Sequence, residues 1–273
     1  MNKVNLVSIV VMVLLCMAAP LWAEEGGDGE KDKTYELQKK LENPVANMIS
    51  VPFQNNWDFG IGPANAMRYT LNVQPVIPFE LSKDWNLITR TIVPYIYAES
   101  PVEGGDDKSG LGDITQSFLL SPVKPVNGWI LAFGPILRYP TATDDALGGE
   151  KWGAGPQVLA LQQNAGWTYG ALVYHLWSFA GSDSRSDLNQ TWLQLFLSRA
   201  FKKTHTTVGV SSESSYDWEA HEWTVPISVK VGQLIRIGKQ PVKLGLSAIY
   251  YAVRPDNGPD CGIRFEVTLP FPK

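Results

Sequence analysis

The stretch Gly262-Ile263-Arg264-Phe265-Glu266-Val267-Thr268-Leu269-Pro270-Phe271 decides the fold. From Ile263 on, its odd positions are large and apolar, and its even positions are charged, hydroxylated or proline. A strand points successive side chains to opposite faces, so this is a ribbon with one apolar and one polar face. A soluble sandwich turns the apolar face inward. A membrane barrel turns it to lipid and keeps the polar face for the lumen. The period is the same in both cases, so the rest of the chain has to choose.

Working backwards, alternating segments of ten or more residues recur from residue 48 onward, about twelve in all. They fall near residues 48–59, 67–80, 85–99, 113–123, 129–139, 152–163, 167–180, 189–201, 206–215, 223–232, 242–253 and 262–271. In the second, Met67, Tyr69, Leu71, Val73, Ile77 and Phe79 share one face, opposite Arg68, Thr70, Asn72, Gln74 and Glu80. In the tenth, Trp223, Val225, Ile227, Val229 and Val231 interleave with Thr224, Ser228, Lys230 and Gly232. The connections alternate as well. Those at 81–84, 124–128, 165–166, 202–205 and 238–241 are short, and those at 61–66, 100–111, 140–151, 181–188, 216–222 and 254–260 are longer and polar. Short periplasmic turns and longer outer loops are the topology of an outer-membrane barrel, and an even strand number agrees. Trp85, Trp129, Trp167 and Phe201 border short turns, whereas Trp152, Trp177 and Trp223 border long loops, as two interfacial girdles require. The expected fold is an all-β, antiparallel up-and-down transmembrane barrel of about twelve strands over 48–273. Pro52, Pro75, Pro78, Pro94, Pro135 and Pro226 lie inside the expected strands, where each removes a ladder bond, so bulges or bends are expected beside them.

The N-terminal sequence supplies the export route. Lys3, an apolar run over 9–19 and the small-residue site Leu21-Trp22-Ala23 predict a signal peptide over 1–23. Residues 24–47 are acidic and polar and are expected as a solvated periplasmic lead-in, with a short helix over 35–42 ended before Pro44. A plug that enters the barrel is the alternative. Removing Lys3 with the signal from 23 basic and 27 acidic residues leaves a net charge of −5, which argues against nucleic acid as a partner. Only Cys261 remains after cleavage, so no internal disulfide is available. The chain is expected in the outer membrane of a Gram-negative cell. Its expected partners are the lipid and lipopolysaccharide of that membrane, its assembly machinery and a small-molecule solute.

Several long motifs carry a resemblance. These are 110–117 (Gly-Leu-Gly-Asp-Ile-Thr-Gln-Ser), 140–148 (Pro-Thr-Ala-Thr-Asp-Asp-Ala-Leu-Gly), 150–156 (Glu-Lys-Trp-Gly-Ala-Gly-Pro), 51–56, 177–181, 223–226 and 238–242. The chain resembles the meta-pathway (MetA-pathway) phenol-degradation family of bacterial outer-membrane proteins, some of which carry a neuromedin label. The resemblance implies an outer-membrane barrel acting as a transporter or channel, with small aromatic solutes.

No catalytic, metal or cofactor pattern emerges. His175, His205 and His221 stand outside any metal-spacing motif. A lipid-modifying enzyme would need a Ser facing a His, and His221 near Ser211, Ser212, Ser214 and Ser215 is the pair to examine. The stronger candidates are polar residues opposite the lipid face: Arg68, Asn72, Gln74, Arg138, Lys230, Arg264 and Glu266, with Arg90 and Gln116 from strands that alternate less clearly. Arg or Lys on the lipid face at the midplane costs about 2–4 kcal/mol, which assigns these side chains to the lumen, where they serve either as a structural network of charge pairs or as a solute-contacting constriction. The acidic loop residues Asp144, Asp145 and Glu150, with Asp106 and Asp107, are candidates for a divalent cation or the lipopolysaccharide layer. Passive passage of small solutes, aromatic compounds or organic acids among them, is the leading reading. A closed structural or surface-interaction barrel is the second, and the lipid-modifying enzyme the third.

Overall fold

The computed structural model describes residues 28–271, so the expected signal peptide lies outside the described residues. The chain forms one helix, α1 (Asp28–Leu41), and then β1 (Ile49–Ile61), β2 (Ala66–Val73), β3 (Val76–Glu80), β4 (Trp85–Ala98), β5 (Lys108–Leu111), β6 (Ile114–Pro122) and β7 (Trp129–Tyr139). There follow β8 (Lys151–Asn164), β9 (Trp167–Gly181), β10 (Asn189–Phe201), β11 (Thr206–Asp217), β12 (Glu222–Ile237), β13 (Gln240–Val253) and β14 (Cys261–Phe271). β2 and β3 both pair with β1 and with β4 and so form one strand interrupted at Gln74-Pro75. β5 and β6 are likewise one strand along β4, interrupted at Gly112-Asp113. Twelve antiparallel staves result. β14 returns to β1, from Ile49 opposite Phe271 to Phe59 opposite Cys261, and the sheet closes with no edge. The alternating stretch that opens the argument is therefore the closing stave.

Three of the six strand prolines sit where the ladder gives way, while Pro52 and Pro78 keep register with β14 and β4. Pro75 falls at the β2/β3 break, Pro226 at a register shift between β12 and β13, and Pro135 opposite Pro156. Gly155 marks a close approach: a Cβ there would stand 1.7 Å from the His175 carbonyl oxygen of β9. Gly155→Val is expected to prevent β8 and β9 from pairing, at more than about 3 kcal/mol, read as loss of the compact, heat-modifiable barrel on a gel.

Register assigns the two faces. Phe133, Val158, Val173, Leu195, Val210, Ile227 and Val229 all point outward and stay exposed, Val158 at 55% and Val229 at 52%. An apolar belt of that extent is a surface for hydrocarbon, not water. Trp85, Trp129, Trp167 and Phe201 ring the short-turn end, and Trp152, Trp177 and Trp223 the long-loop end, all with exposed rings. Edge-to-face pairs such as Trp85–Phe133 and Tyr139–Trp152 stiffen the belts. Among the described residues no helix is long and apolar enough to cross a membrane.

Two expectations fail here. The lumen is not polar throughout. Ile88, Leu119, Ala132, Leu159, Leu161 and Leu172 are buried inside the barrel as one apolar cluster, and Ile136, Leu176 and Leu188 form a second. That inner apolar wall runs over β4 and β6–β9, and on β4 and β6 it is why the strands alternate poorly in sequence: both faces are apolar. The lead-in is not solvated either. α1 begins earlier than expected and its last turn is tightened by bonds from Glu42 N to Lys39 O and Asn43 N to Lys40 O, before Pro44 stops it. Its C-terminal end sits in the short-turn mouth of the barrel. Gln38 Nε2 donates to Thr207 Oγ1 (2.8 Å), Gln163 Nε2 donates to the Lys39 carbonyl (2.7 Å), and Val45 packs into the apolar cluster. A helix this polar has little reason to persist in isolation, so docking holds it.

Candidate functional site: the barrel lumen

The lumen is built in three levels. At the short-turn mouth, Glu42 follows α1 into the barrel and meets Lys243 Nζ at 2.6 Å and Lys230 Nζ at 2.9 Å, with Ser198 Oγ donating at 3.2 Å. The Glu42 side chain is 2% exposed. Burial by itself would raise its carboxyl; the two lysines override burial and hold it well below the usual carboxylate range.

At mid-height, β14 and β1 place Arg264 and Glu266 beside Gln54 and Asn56, because Arg264 pairs in register with Asn56 and Glu266 with Gln54. Arg264 forks onto Glu213 of β11 (2.8 and 3.3 Å), and its Nε donates to Asn56 Oδ1 (2.6 Å). Gln54 Nε2 donates to Glu266 (2.9 Å), Gln74 Nε2 to Gln54 Oε1 (2.7 Å), and Arg90 Nη2 to Gln74 Oε1 (2.5 Å). A connected polar network thus runs from β14 to β4. Asn72 faces inward opposite Gln54 but forms no side-chain bond among the described residues.

At the long-loop mouth, Asp58 accepts from Tyr251 Oη (2.7 Å) and lies 3.5 Å from Arg68. Asp113, in the Gly-Leu-Gly-Asp motif, accepts from Arg138 Nε (3.1 Å) and Nη2 (2.9 Å), Ala142 N (3.2 Å) and Gly149 N (2.8 Å). It ties the loop over 140–150 to the barrel wall. Arg138 therefore holds a loop more than it lines a path.

Arg68, Asn72, Gln74, Arg90, Arg138, Lys230, Arg264 and Glu266 all face the lumen. Gln116 does not. It pairs with Thr91, one residue out of phase with lumen-facing Ser117 and Arg90, and its Oε1 accepts from Thr91 Oγ1 on the outer wall (2.5 Å). The strand is apolar on both faces, so its sequence offered no phase. The acidic loop residues do not converge on a cation. Asp144 caps the 3-10 turn Asp145–Leu147, accepting from Ala146 N (2.9 Å), which with Lys108 at 3.5 Å lowers its carboxyl pKa. Asp145 offers its carbonyl, and Glu150 its carboxylate at 3.2 Å, to Arg185. Asp107 is bound by Tyr97 Oη (2.7 Å) and Ser100 N (3.0 Å), which hold its carboxyl low. Among the described residues no group of three His, Cys, Asp or Glu could hold a metal ion.

Sequence reasoning missed Glu42, Gln54, Asn56, Asp58, Glu213 and Lys243. The phase of β11 contained the signal for Glu213, two residues along from Ser211 on the same face. For Glu42 no signal existed, because its partners lie 188 and 201 residues away. The serine–histidine arrangement is not assembled: His221 sits in an outer turn, at φ 57°, while Ser211 faces the lumen and Ser212 bonds Ser214. His175 lies on the outer wall with both ring nitrogens engaged, by Thr191 Oγ1 (2.7 Å) and Asn189 Oδ1 (3.1 Å).

A closed twelve-stave antiparallel barrel, apolar outside and charged within, defines the class: the fold is that of an outer-membrane β-barrel. No family model matches the chain, and no curated protein does. Solved structures do. An outer membrane channel from Pseudomonas putida F1 is similar at a TM-score of 0.64 and 14% identity, over 82% of this chain and 94% of that one. Outer membrane phospholipase A from Escherichia coli is similar at 0.50 and 10% identity, over 86% and 97%. The NanC porin is similar at 0.50 and 9% identity, over 82% and 100%.

Proposed function

We propose that this chain is an outer-membrane channel that passes small solutes passively, narrowed at its short-turn mouth by the seated N-terminal segment. The carrying observation is the contrast in exposure along the lumen. Glu42 and Lys243 at the mouth are 2% and 10% exposed, whereas Glu213 at mid-height keeps 38% and Arg68, higher up, 45%. Ionised groups that water still reaches mark a wet bore above a packed floor. A barrel filled for structure alone would bury them all. The motifs over 110–117 and 140–156 support membership of the phenol-degradation family, and with it aromatic compounds or organic acids as solutes. A secretory leader and insertion into the outer membrane, against lipid and lipopolysaccharide, complete the proposal.

The test is conductance of the refolded protein in a planar bilayer. Discrete current steps are expected, and a folded barrel that never conducts would sink the proposal. Arg264→Gln leaves Glu213 without its partner at mid-height. A unit charge about 5 Å from the path in water is worth about 0.8 kcal/mol, so anion permeability should fall and cation permeability rise by up to roughly fourfold each. An unchanged reversal potential under a salt gradient would show that ions do not pass Arg264.

A further inference from the structure

The mid-lumen is two-faced, and one cation there stands apart. Lys230, Lys243, Arg264, Arg68 and Arg138 each pair with a carboxylate. Among the described residues Arg90 forms no ion pair; its guanidinium meets only the neutral Gln74 amide. Arg90 is half-buried and belongs to the strand that also carries Ile88 of the apolar wall. Ile88 and Leu172 share one apolar cluster, and Arg90 and Tyr174 each follow two residues further from the short turns on the same faces of β4 and β9, so the two stand at one level of the bore.

Opposite stands an aromatic pair. Tyr174 of β9 and Trp192 of β10 face each other in register, with ring centroids 5.8 Å apart and planes 11° from parallel. Tyr174 packs against both apolar clusters and so bridges them. Its hydroxyl forms no hydrogen bond among the described residues. Gln157, paired in register with Tyr174, is 3% exposed, and its amide oxygen has no partner. Buried polar groups are normally satisfied, and a lone guanidinium in a narrow bore attracts an anion.

We propose that this level of the bore is a seat for a small aromatic monocarboxylate, its ring laid along Tyr174 and Trp192 and its carboxylate on the Arg90 guanidinium. This deepens the channel reading and rests on it for transport, though not for binding. Arg offers a carboxylate two parallel donors, which a neutral ring cannot use, and the stacked aromatic pair offers a ring face, which a simple aliphatic acid cannot use. Both features together select the combined chemistry. The Tyr174 hydroxyl, unbonded among the described residues, gives a ring hydroxyl something to bond.

The probe is sodium benzoate, titrated against the full refolded chain in detergent and followed by tryptophan fluorescence, with current block measured in the bilayer. Benzyl alcohol and acetate serve as the ring-only and carboxylate-only comparisons, and 4-hydroxybenzoate as the hydroxylated one. Benzoate should quench saturably and shorten open times, each at least tenfold more strongly than either comparison compound. Arg90→Gln should weaken benzoate at least tenfold, Arg90→Lys less, and Tyr174→Leu roughly fivefold, while Lys239→Gln in a short turn stays within twofold of wild type. If the barrel conducts chloride but benzoate neither quenches nor blocks, the seat is overturned and the channel stands. If benzoate quenches in an Arg90-dependent way but no current flows, the channel reading fails and the seat stands. Equal weakening by Arg90→Gln and Lys239→Gln would reduce the effect to net charge and overturn the seat.

Discussion

Glu42→Ala is expected to release the N-terminal segment from the barrel. The variant leaves Lys243 and Lys230 facing each other at the short-turn mouth with no anion between them, and removing one member of a buried ion cluster costs about 3–5 kcal/mol. Lys230 keeps some water, so the lower end applies, about 3 kcal/mol, or roughly a hundredfold shift from docked to free. The measurement pairs trypsin cleavage at Lys39 and Lys40 with single-channel current. Wild type should resist cleavage there and conduct in small steps; the variant should be cut quickly and conduct in larger ones. A variant still protected from trypsin would show that Val45 and Gln38, not the charge cluster, seat the segment. The pH dependence follows with a definite sign. The docked carboxyl titrates below its ordinary value of 4.5, so its contribution to docking is complete above that value and is lost as pH falls below it toward the docked pKa. Acidification below pH 4.5 should move the current progressively toward that of Glu42→Ala, and alkaline pH should not.

Asp113→Ala is expected to untie the outer loop. One buried carboxylate, 2% exposed, collects Arg138 and the amides of Ala142 and Gly149. Its loss strands the Arg138 guanidinium and two amide donors, at roughly 3 kcal/mol for the charged bond and its neighbours together. The urea midpoint should fall, and proteases should cut within 140–150, which wild type resists. Asp113→Asn keeps an acceptor for one amide but not the charge, so its effect should be about half as large. Equal stability of the alanine variant and wild type would mean that Arg185, which grips the Asp145 and Gly148 carbonyls, holds the loop alone.

Much of the wall was legible because the membrane imposes a rule the sequence has to obey at every second residue. Strands 129–139 and 189–201 fall where alternation places them, and β14 closes on β1 in the phase that puts Arg264 and Glu266 inside. Loop lengths separated the two ends of the barrel. Where the rule is silent, so was the sequence: β4 and β6 carry apolar residues on both faces, and Gln116 landed outside.

The sequence by itself determined the class of fold, its twelve staves and the inward face of the charges on its cleanly alternating strands. It could do so because the hydrocarbon outside tolerates few charges, and that cost acts locally, residue by residue. Only the tertiary structure decided what fills the bore. The apolar inner wall, the Arg90 level opposite Tyr174 and Trp192, and the Glu42 cluster join side chains far apart in the chain, and no local period records such meetings. Whether residues 28–47 float or dock depended on two lysines some two hundred positions away, and closure of the barrel put them within reach.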